Sequence, residues 1–356
     1  MEGIPIPDAR RRPPEPVLEA YGFQGATVTN ENAKARKAVW FVERPGRTWV
    51  LKQSPLDEER LRFVLAAWDH LRARGIGLPA RVPARDGRPY VLVPEGLFFV
   101  MELACGHAPS YDAPGDRTRI LHGLARFHRA SEGFSHQGCA GARVQLGEWP
   151  RLYRKRLDRL AQAEGAGPVW EAARPHLPFF LEAGRLALEE LQRSAYSDWV
   201  ESVRRRGGLC HQDFAAGNLV LEPSGGLVVL DLDSVSVEIP ARDLRKLLVK
   251  VLKKQGAWDD EQARRMLSDY HQVNPLRPEQ YEVLRVDLLF PHLFHGLVDK
   301  ALTGRAPDWT QGKFLSKLRE VVAFERAKAE ALAGSGALLP DPLGSAPVPD
   351  TIGGDR

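Results

Sequence analysis

The stretch His211-Gln212-Asp213-Phe214-Ala215-Ala216-Gly217-Asn218 decides how this chain is read, together with an acid a short way beyond it. Asn218 stands five residues beyond Asp213, and Asp231 comes thirteen residues later, closing the apolar run Leu227-Val228-Val229-Leu230. Between them, Leu219-Val220-Leu221 reads as a short strand and Glu222-Pro223-Ser224-Gly225-Gly226 as a turn. The segment is therefore expected to fold as a hairpin that starts just after Asn218 and ends at Asp231, with both residues at the same end. Taken singly, Asp213 reads as a turn former and Asn218 as a cap. Together with Asp231 they form the set that phosphoryl transfer from ATP requires. One carboxylate accepts the acceptor hydroxyl proton, and an amide and a second carboxylate hold Mg²⁺ on the phosphates.

Working outward, residues 20 to 104 read as strands around one helix. Ala38–Val42 and Thr48–Lys52 are paired strands across the Pro45-Gly46 turn. Ser54-Pro55 is expected to start a helix with the apolar stripe Leu61, Leu65, Trp68 and Leu71, ended by Gly75. Tyr90–Val93 and Leu97–Met101 form a further hairpin, closed by Gly96. From about 114 the pattern is mostly helical, with spans at 117–131, 149–163, 177–205, 241–255, 259–270, 278–303 and 311–333. Pro291 is expected to kink or break the sixth. The expected domains are a flexible segment 1–17, a small β-rich lobe 18–104, a large lobe 105–333 and a flexible tail 334–356.

These residues resemble the aminoglycoside phosphotransferase and protein-kinase-like superfamily, which carries His-x-Asp-x-x-x-x-Asn and a metal-binding Asp after a hairpin. The resemblance implies a bilobal α+β kinase-like fold that uses ATP and Mg²⁺. Asp213 would be the catalytic base, with Asn218 and Asp231 as metal ligands. Lys52, at a strand end, would be the phosphate-pairing lysine, with Glu59 as its helix partner and Glu58 as the competitor. Met101, Glu102 and Leu103 would form the nucleotide-contacting hinge. Leu124–His128 resembles the helix before the catalytic loop. Pro240-Ala241-Arg242-Asp243-Leu244 resembles the segment whose Asp-Leu pair braces that loop. The wording is closest to the CotS-like spore coat proteins. Cys210-His211-Gln212-Asp213, Asp231-Leu232-Asp233-Ser234, Gly147-Glu148-Trp149-Pro150 and Phe290-Pro291-His292-Leu293-Phe294 are in that branch's style. One departure stands out. The turn expected to cover the phosphates, within Asn30–Arg36, contains no glycine, so Lys34 or Arg36 would contact the phosphates instead.

Composition narrows the rest. The 356 residues are 43% hydrophobic and 27% charged, with a net charge of only +4, and the basic residues are mostly interspersed with acids. Neither a nucleic-acid footprint nor a membrane-spanning run is read. Cys105, Cys139 and Cys210 are widely spaced and indicate neither a disulfide framework nor a zinc site. A cytoplasmic protein is expected, with incorporation into the spore coat implied by the resemblance. His211 and His128 read as structural, and His292 and His295 as core residues rather than metal ligands. Cys210 reads as a small buried side chain and Arg204-Arg205-Arg206 as a solvated helix end. Asp233 reads equally as a metal assistant or an exposed turn acid. The leading expectation is a phosphotransferase acting on the hydroxyl of a small molecule. Only nine residues, Leu232 to Pro240, separate Asp231 from the helix starting at Ala241, too few for a peptide-docking loop. Asp287, His292 and Asp299 are the expected polar contacts to the acceptor. The alternatives are a catalytically silent kinase-like protein of the spore coat, partnered by other coat proteins, and a metal-dependent phosphohydrolase, which leaves Lys52 unexplained.

Overall fold

The computed structural model describes residues 12–34, 37–165, 167–306 and 309–334. The chain divides into two compact units, Met1–Leu146 with Glu201–Asp243, and Gly147–Val200 with Leu244–Arg356. These units do not follow the lobe boundary expected near 104. The hairpin after Asn218 makes β-bridges to Gly77 and His107, and so clusters with the N-terminal sheet.

The first unit opens with helix α1 (Glu15–Tyr21), where Val17 and Leu18 are wholly buried. The Pro-rich start therefore gives way to packed structure sooner than the expected 1–17 segment. Strands β1 (Thr27–Lys34), β2 (Lys37–Arg44) and β3 (Arg47–Ser54) form an antiparallel meander. Helix α2 (Glu58–Ala73) comes next. It begins three residues after the Ser-Pro signal. Ser54 still pairs in the sheet opposite Leu97, and Asp57 is the cap, its carboxylate accepting the Arg60 N–H at 2.8 Å.

Strands β4 (Arg81–Val82), β5 (Val91–Val93) and β6 (Gly96–Glu102) complete the sheet, whose order is β1-β2-β3-β6-β4, with β5 also on β6. Strand β6 is apolar on both faces. Phe98 and Val100 pack with Val17 and Leu18 of α1, while Leu97 and Phe99 pack with Leu61 and Leu65 of α2. That double burial fixes the register of its partner β3 and hence the position of Lys52. Helix α3 (Pro114–Ala130), strand β7 (Leu209–Cys210), the hairpin β8 (Leu219–Leu221) and β9 (Leu227–Val229), and β10 (Ser236–Val237) finish this unit. Strand β10 pairs with β7, and β8 with β9, both antiparallel.

The second unit is helical: α4 (Trp149–Ala161), α5 (Pro168–Ala173), α6 (Leu177–Arg193), α7 (Tyr196–Arg206), α8 (Ala241–Lys254), α9 (Asp260–Val273), α10 (Pro278–Leu289), α11 (His292–Leu302) and α12 (Gln311–Gly334). The chain passes between units within α7 and α8. The expected single helix over 177–205 is two. Ser194 is extended and its hydroxyl accepts the Tyr196 N–H at 3.2 Å, a local bond that competes with helix continuation. The break at Pro291 is as expected, with Phe290 extended before it. Helix α5 was not expected. Phe180, Phe294, Leu318 and Val321 centre the core of this unit.

Candidate active site

The loop that carries Asp213 owes its shape to Asp243. This buried carboxylate accepts the His211 N–H at 2.6 Å and the Gln212 N–H at 2.8 Å, and lies 3.2 Å from His128 Nε2. Two consecutive N–H groups can face one carboxylate only if the backbone turns sharply between them, and Gln212 accordingly sits at φ 69°. The expected bracing role of Asp243 and the buried, hydrogen-bonded state of His128 are both present.

His211 is wholly buried. Its Nε2 lies 3.0 Å from the Leu230 carbonyl, its Nδ1 accepts the Asp213 N–H at 3.2 Å, and its ring stands edge-on to Phe127 and Phe214. Burial holds its pKa below the usual value. A neutral imidazole bonded at both nitrogens is a strut, which is the structural role expected. Cys210 is also buried, with its thiol 3.1 Å from the Ile239 carbonyl and its pKa pushed up by burial.

Asp213 projects from this loop as an exposed residue. The Asn218 amide donates to its carbonyl and to its Oδ2, both at 2.9 Å. Asn218 thus fixes the carboxylate through Nδ2, which leaves its own Oδ1 as the atom suited to a cation. The hairpin brings Asp231 back to this end, where the Leu230 N–H donates to the Asn218 carbonyl at 2.8 Å. Asp231 itself takes the left-handed conformation, φ 57°, a strain that an active-site residue commonly carries. Its Oδ1 meets Lys52 Nζ at 2.8 Å, and Asp233 Oδ1 meets the same nitrogen at 2.7 Å. Lys52 is almost wholly buried, with its ammonium also over the Phe99 ring. An ammonium in so dry a place needs such partners.

The structure thus brings together Asp213, Asn218, Asp231 and Lys52, and it makes Asp233 a partner of Lys52. It does not bring Glu59 to Lys52. Glu59 is exposed, and among the described residues no ion pair joins the two. Glu58 is taken by Arg62 and Tyr90. The residue of α2 that reaches the loop after Asp231 is Arg60, whose guanidinium donates to the Asp233 carbonyl at 3.1 Å and to that of Val235. No local sequence signal marked Arg60 for this contact, since these two carbonyls lie 173 and 175 residues along the chain. Met101 and Glu102 end β6, but the Glu102 N–H donates to the Ala80 carbonyl and its carboxylate pairs with Arg47; Leu103 is exposed. The side chain of Lys34, and the whole of Arg36, lie outside the described residues.

Two glycines and a tyrosine complete the support, and none was expected. The Gly77 carbonyl accepts the Val229 N–H at 2.8 Å on one edge of the hairpin, and His107 exchanges bonds with Leu221 on the other. A Cβ at Gly77 would stand 2.4 Å from the Leu227 oxygen, and one at Gly106 would stand 2.1 Å from that of Leu221. The Tyr111 hydroxyl accepts the Ala216 N–H at 2.9 Å.

The model of the phosphotransferase enzyme family (APH) matches residues 29–276, which spans every residue of this constellation. The chain belongs to that family. It is similar to spore coat protein S of Bacillus subtilis (strain 168), at 29% identity over 88% of this chain and 90% of that protein. The CotS-like branch expected from the sequence is thus where this relative falls. In fold it resembles an aminoglycoside phosphotransferase from Alicyclobacillus acidocaldarius, with a TM-score of 0.75 and 19% identity over 92% of this chain and 96% of that one. It also resembles amicoumacin kinase in complex with AMP-PNP, Ca²⁺ and Ami, with a TM-score of 0.59 and 16% identity over 92% and 93% of the two chains. The fold is kinase-like α+β, a sheet-bearing N-terminal region followed by a mostly helical remainder.

The expected acceptor contacts of this family member do not hold. Asp287 is wholly buried, accepting from Tyr153, from Arg245 Nε at 2.8 Å and from His292 Nε2 at 2.8 Å. Burial holds the His292 pKa well below its usual value. Asp299 pairs with Arg159 at 2.7 Å and with Arg305. These side chains are engaged in the second unit and present no group for an acceptor. His295 is likewise buried, as expected of a core residue.

Proposed function

We propose that this protein transfers a phosphoryl group from ATP, with Mg²⁺, to the hydroxyl of a small molecule. The observation that carries the reading is one cluster. Asn218 holds the Asp213 carboxylate at 2.9 Å, and Lys52 lies 2.8 Å from Asp231 at the same end of the hairpin. Asp213 orients the acceptor hydroxyl and takes its proton. Lys52 supplies positive charge to the α- and β-phosphates. Asn218 Oδ1 and the Asp231 carboxylate are hard oxygen donors, the kind Mg²⁺ prefers, and they would hold it. A metal there would neutralise charge on the phosphates. Support for nucleotide use comes from the fold neighbour described with AMP-PNP, and that neighbour's name, amicoumacin kinase, supports a small acceptor.

The test is a screen of hydroxylated metabolites for ATP consumption, run with the parent and with Asp213→Asn. ATP consumption that needs Asp213 and an added small molecule is expected. Consumption that Asp213→Asn leaves intact would sink the reading. A second reading is a catalytically silent protein assembled with other spore coat proteins. The relation to spore coat protein S favours it. The same screen distinguishes them, since a silent protein consumes no ATP with any acceptor.

A further inference from the structure

Lys52 leaves the sheet from an inner strand. Strand β3 lies between β2 and β6, and Lys52 stands in register with Val39 on one side and Phe99 on the other. That pairing fixes its Cα. Its four-carbon stem is flexible, so the ammonium at the end must be aimed by partners. The expected partner, Glu59 of α2, is exposed. Two acids of one short loop take its place. Asp231 Oδ1 lies 2.8 Å from Lys52 Nζ and Asp233 Oδ1 lies 2.7 Å from it. The two acids differ in their surroundings. The Asp231 side chain is 28% exposed and stands at the end of the hairpin that carries Asn218, where Mg²⁺ would be held. The Asp233 side chain is 13% exposed.

The backbone that carries Asp233 is firmly held. Leu232–Ser234 is a single 3₁₀ turn, closed by the Val235 N–H on the Leu232 carbonyl at 3.0 Å, and Leu232 and Val235 are both buried. The Asp233 and Val235 carbonyls accept from Arg60 of α2, whose guanidinium also lies over the Phe63 ring at 4.9 Å. Helix α2 is itself pinned at that point. A Cβ at Gly141 would stand 2.2 Å from the Glu59 carbonyl oxygen, and residues 141–145 run on to β10, where the Gln145 N–H donates to the Val237 carbonyl at 2.9 Å. Helix α2 therefore acts on Lys52 through the loop, by way of Arg60, and not through an acid of its own. On a plainer view Asp233 only compensates a buried ammonium. One acid suffices for that. A second matters when the first is called away. Mg²⁺ on Asp231 draws that carboxylate's charge to the metal just when Lys52 must meet phosphate oxygens.

We infer that Asp233 is the positioning residue for Lys52, holding the ammonium toward the nucleotide phosphates while Asp231 serves the metal. The inference rests on the role proposed above for Lys52 at those phosphates. The test is calorimetric titration of the full chain with Mg²⁺-AMP-PNP, whose β–γ bridge resists transfer, and with adenosine, which has no phosphate. Asp233→Asn should weaken Mg²⁺-AMP-PNP binding by about tenfold, within the range over which contacting residues couple, and leave adenosine affinity unchanged. Lys52→Met should weaken Mg²⁺-AMP-PNP binding too. The double variant Lys52→Met with Asp233→Asn should bind no more weakly than Lys52→Met alone, because Asp233 acts through Lys52. Glu59→Gln should bind as the parent does. Parent-like affinity in Asp233→Asn, or a loss as large in Glu59→Gln, would overturn the inference. So would a further loss in the double variant, which would make Asp233 an independent metal or phosphate contact, or a matching loss of adenosine affinity, which would make its role one of folding. A parent that binds no Mg²⁺-AMP-PNP would instead overturn the nucleotide reading, and this inference with it. Circular dichroism establishes that each variant is folded. Should Asp233→Asn fail to fold, Asp233→Glu decides, since it keeps the charge and displaces it by one methylene. Weakened Mg²⁺-AMP-PNP binding is then expected, and parent-like binding contradicts the anchor.

Discussion

At the scale of the residue, the reading rests on which side chains hold Asp213. Its local partners were legible, because Asp213, Asn218 and Asp231 lie within 19 residues and a hairpin alone brings them to one end. Asp243 was legible only through a resemblance, since nothing local ties it to His211. The Lys52 partner was not legible. Glu59 was read as the helix partner from the resemblance, and the side of α2 that reaches the loop after Asp231 carries Arg60 instead. The acids that Lys52 meets lie 179 and 181 residues along the chain. Two outcomes are expected at this scale. Asp213→Asn should lower turnover by a factor of about 10² to 10⁴, the usual contribution of a general base, while leaving nucleotide affinity nearly unchanged. Steady-state kinetics beside a binding titration would show it, and a parallel loss of both would reassign Asp213. Asp243→Ala leaves two buried N–H groups without their acceptor. At roughly 1–3 kcal/mol for each such group, it should cost about 2–6 kcal/mol in urea unfolding. An unchanged midpoint would show that Asp243 does not brace the loop.

At the scale of the element, the β8–β9 hairpin is held on both edges by backbone, and glycines make that possible. The hairpin itself was plain from its turn and its two apolar runs. Its docking was not, because a close approach between Gly77 and Leu227 joins residues far apart in the chain and leaves no periodic trace. Helix limits failed for a similar reason: Ser194 ends α6 through a hydrogen bond that a run of apolar positions does not display. Gly77→Ala puts a methyl group 2.4 Å from a carbonyl oxygen. The strand must shift, at a cost of about 1–3 kcal/mol. Thermal melts should show the loss, together with reduced turnover, since Asn218 and Asp231 move with the hairpin. A substitution neutral in both measurements would mean that the edge contact does not position the site.

At the scale of the whole molecule, buried histidines make the fold less stable in acid. Burial pushes His295 down from 6.5 to about 4, with Arg156, Arg159 and Arg305 adding to the effect. The unfolded chain binds this proton below 6.5 and the folded chain does not until about 4. Stability therefore falls as pH is lowered through that window, by an amount on the order of 3 kcal/mol. His292 shifts in the same direction. Urea midpoints measured from about pH 7 down to about pH 4 should fall. His295→Leu should flatten part of that slope, and a parallel decline in parent and variant would contradict the assignment.

The central claim is that the first unit binds Mg²⁺-ATP through Asp231. The direct measurement is the unfolding free energy of parent and Asp231→Asn, each with ATP and with or without Mg²⁺. For the parent, Mg²⁺-ATP at about 100 times its dissociation constant should add about 2.7 kcal/mol. The gain should disappear when Mg²⁺ is removed, and it should be largely lost in Asp231→Asn. A parent whose stability is the same with and without Mg²⁺-ATP, or an Asp231→Asn variant stabilised as fully as the parent, would contradict the claim.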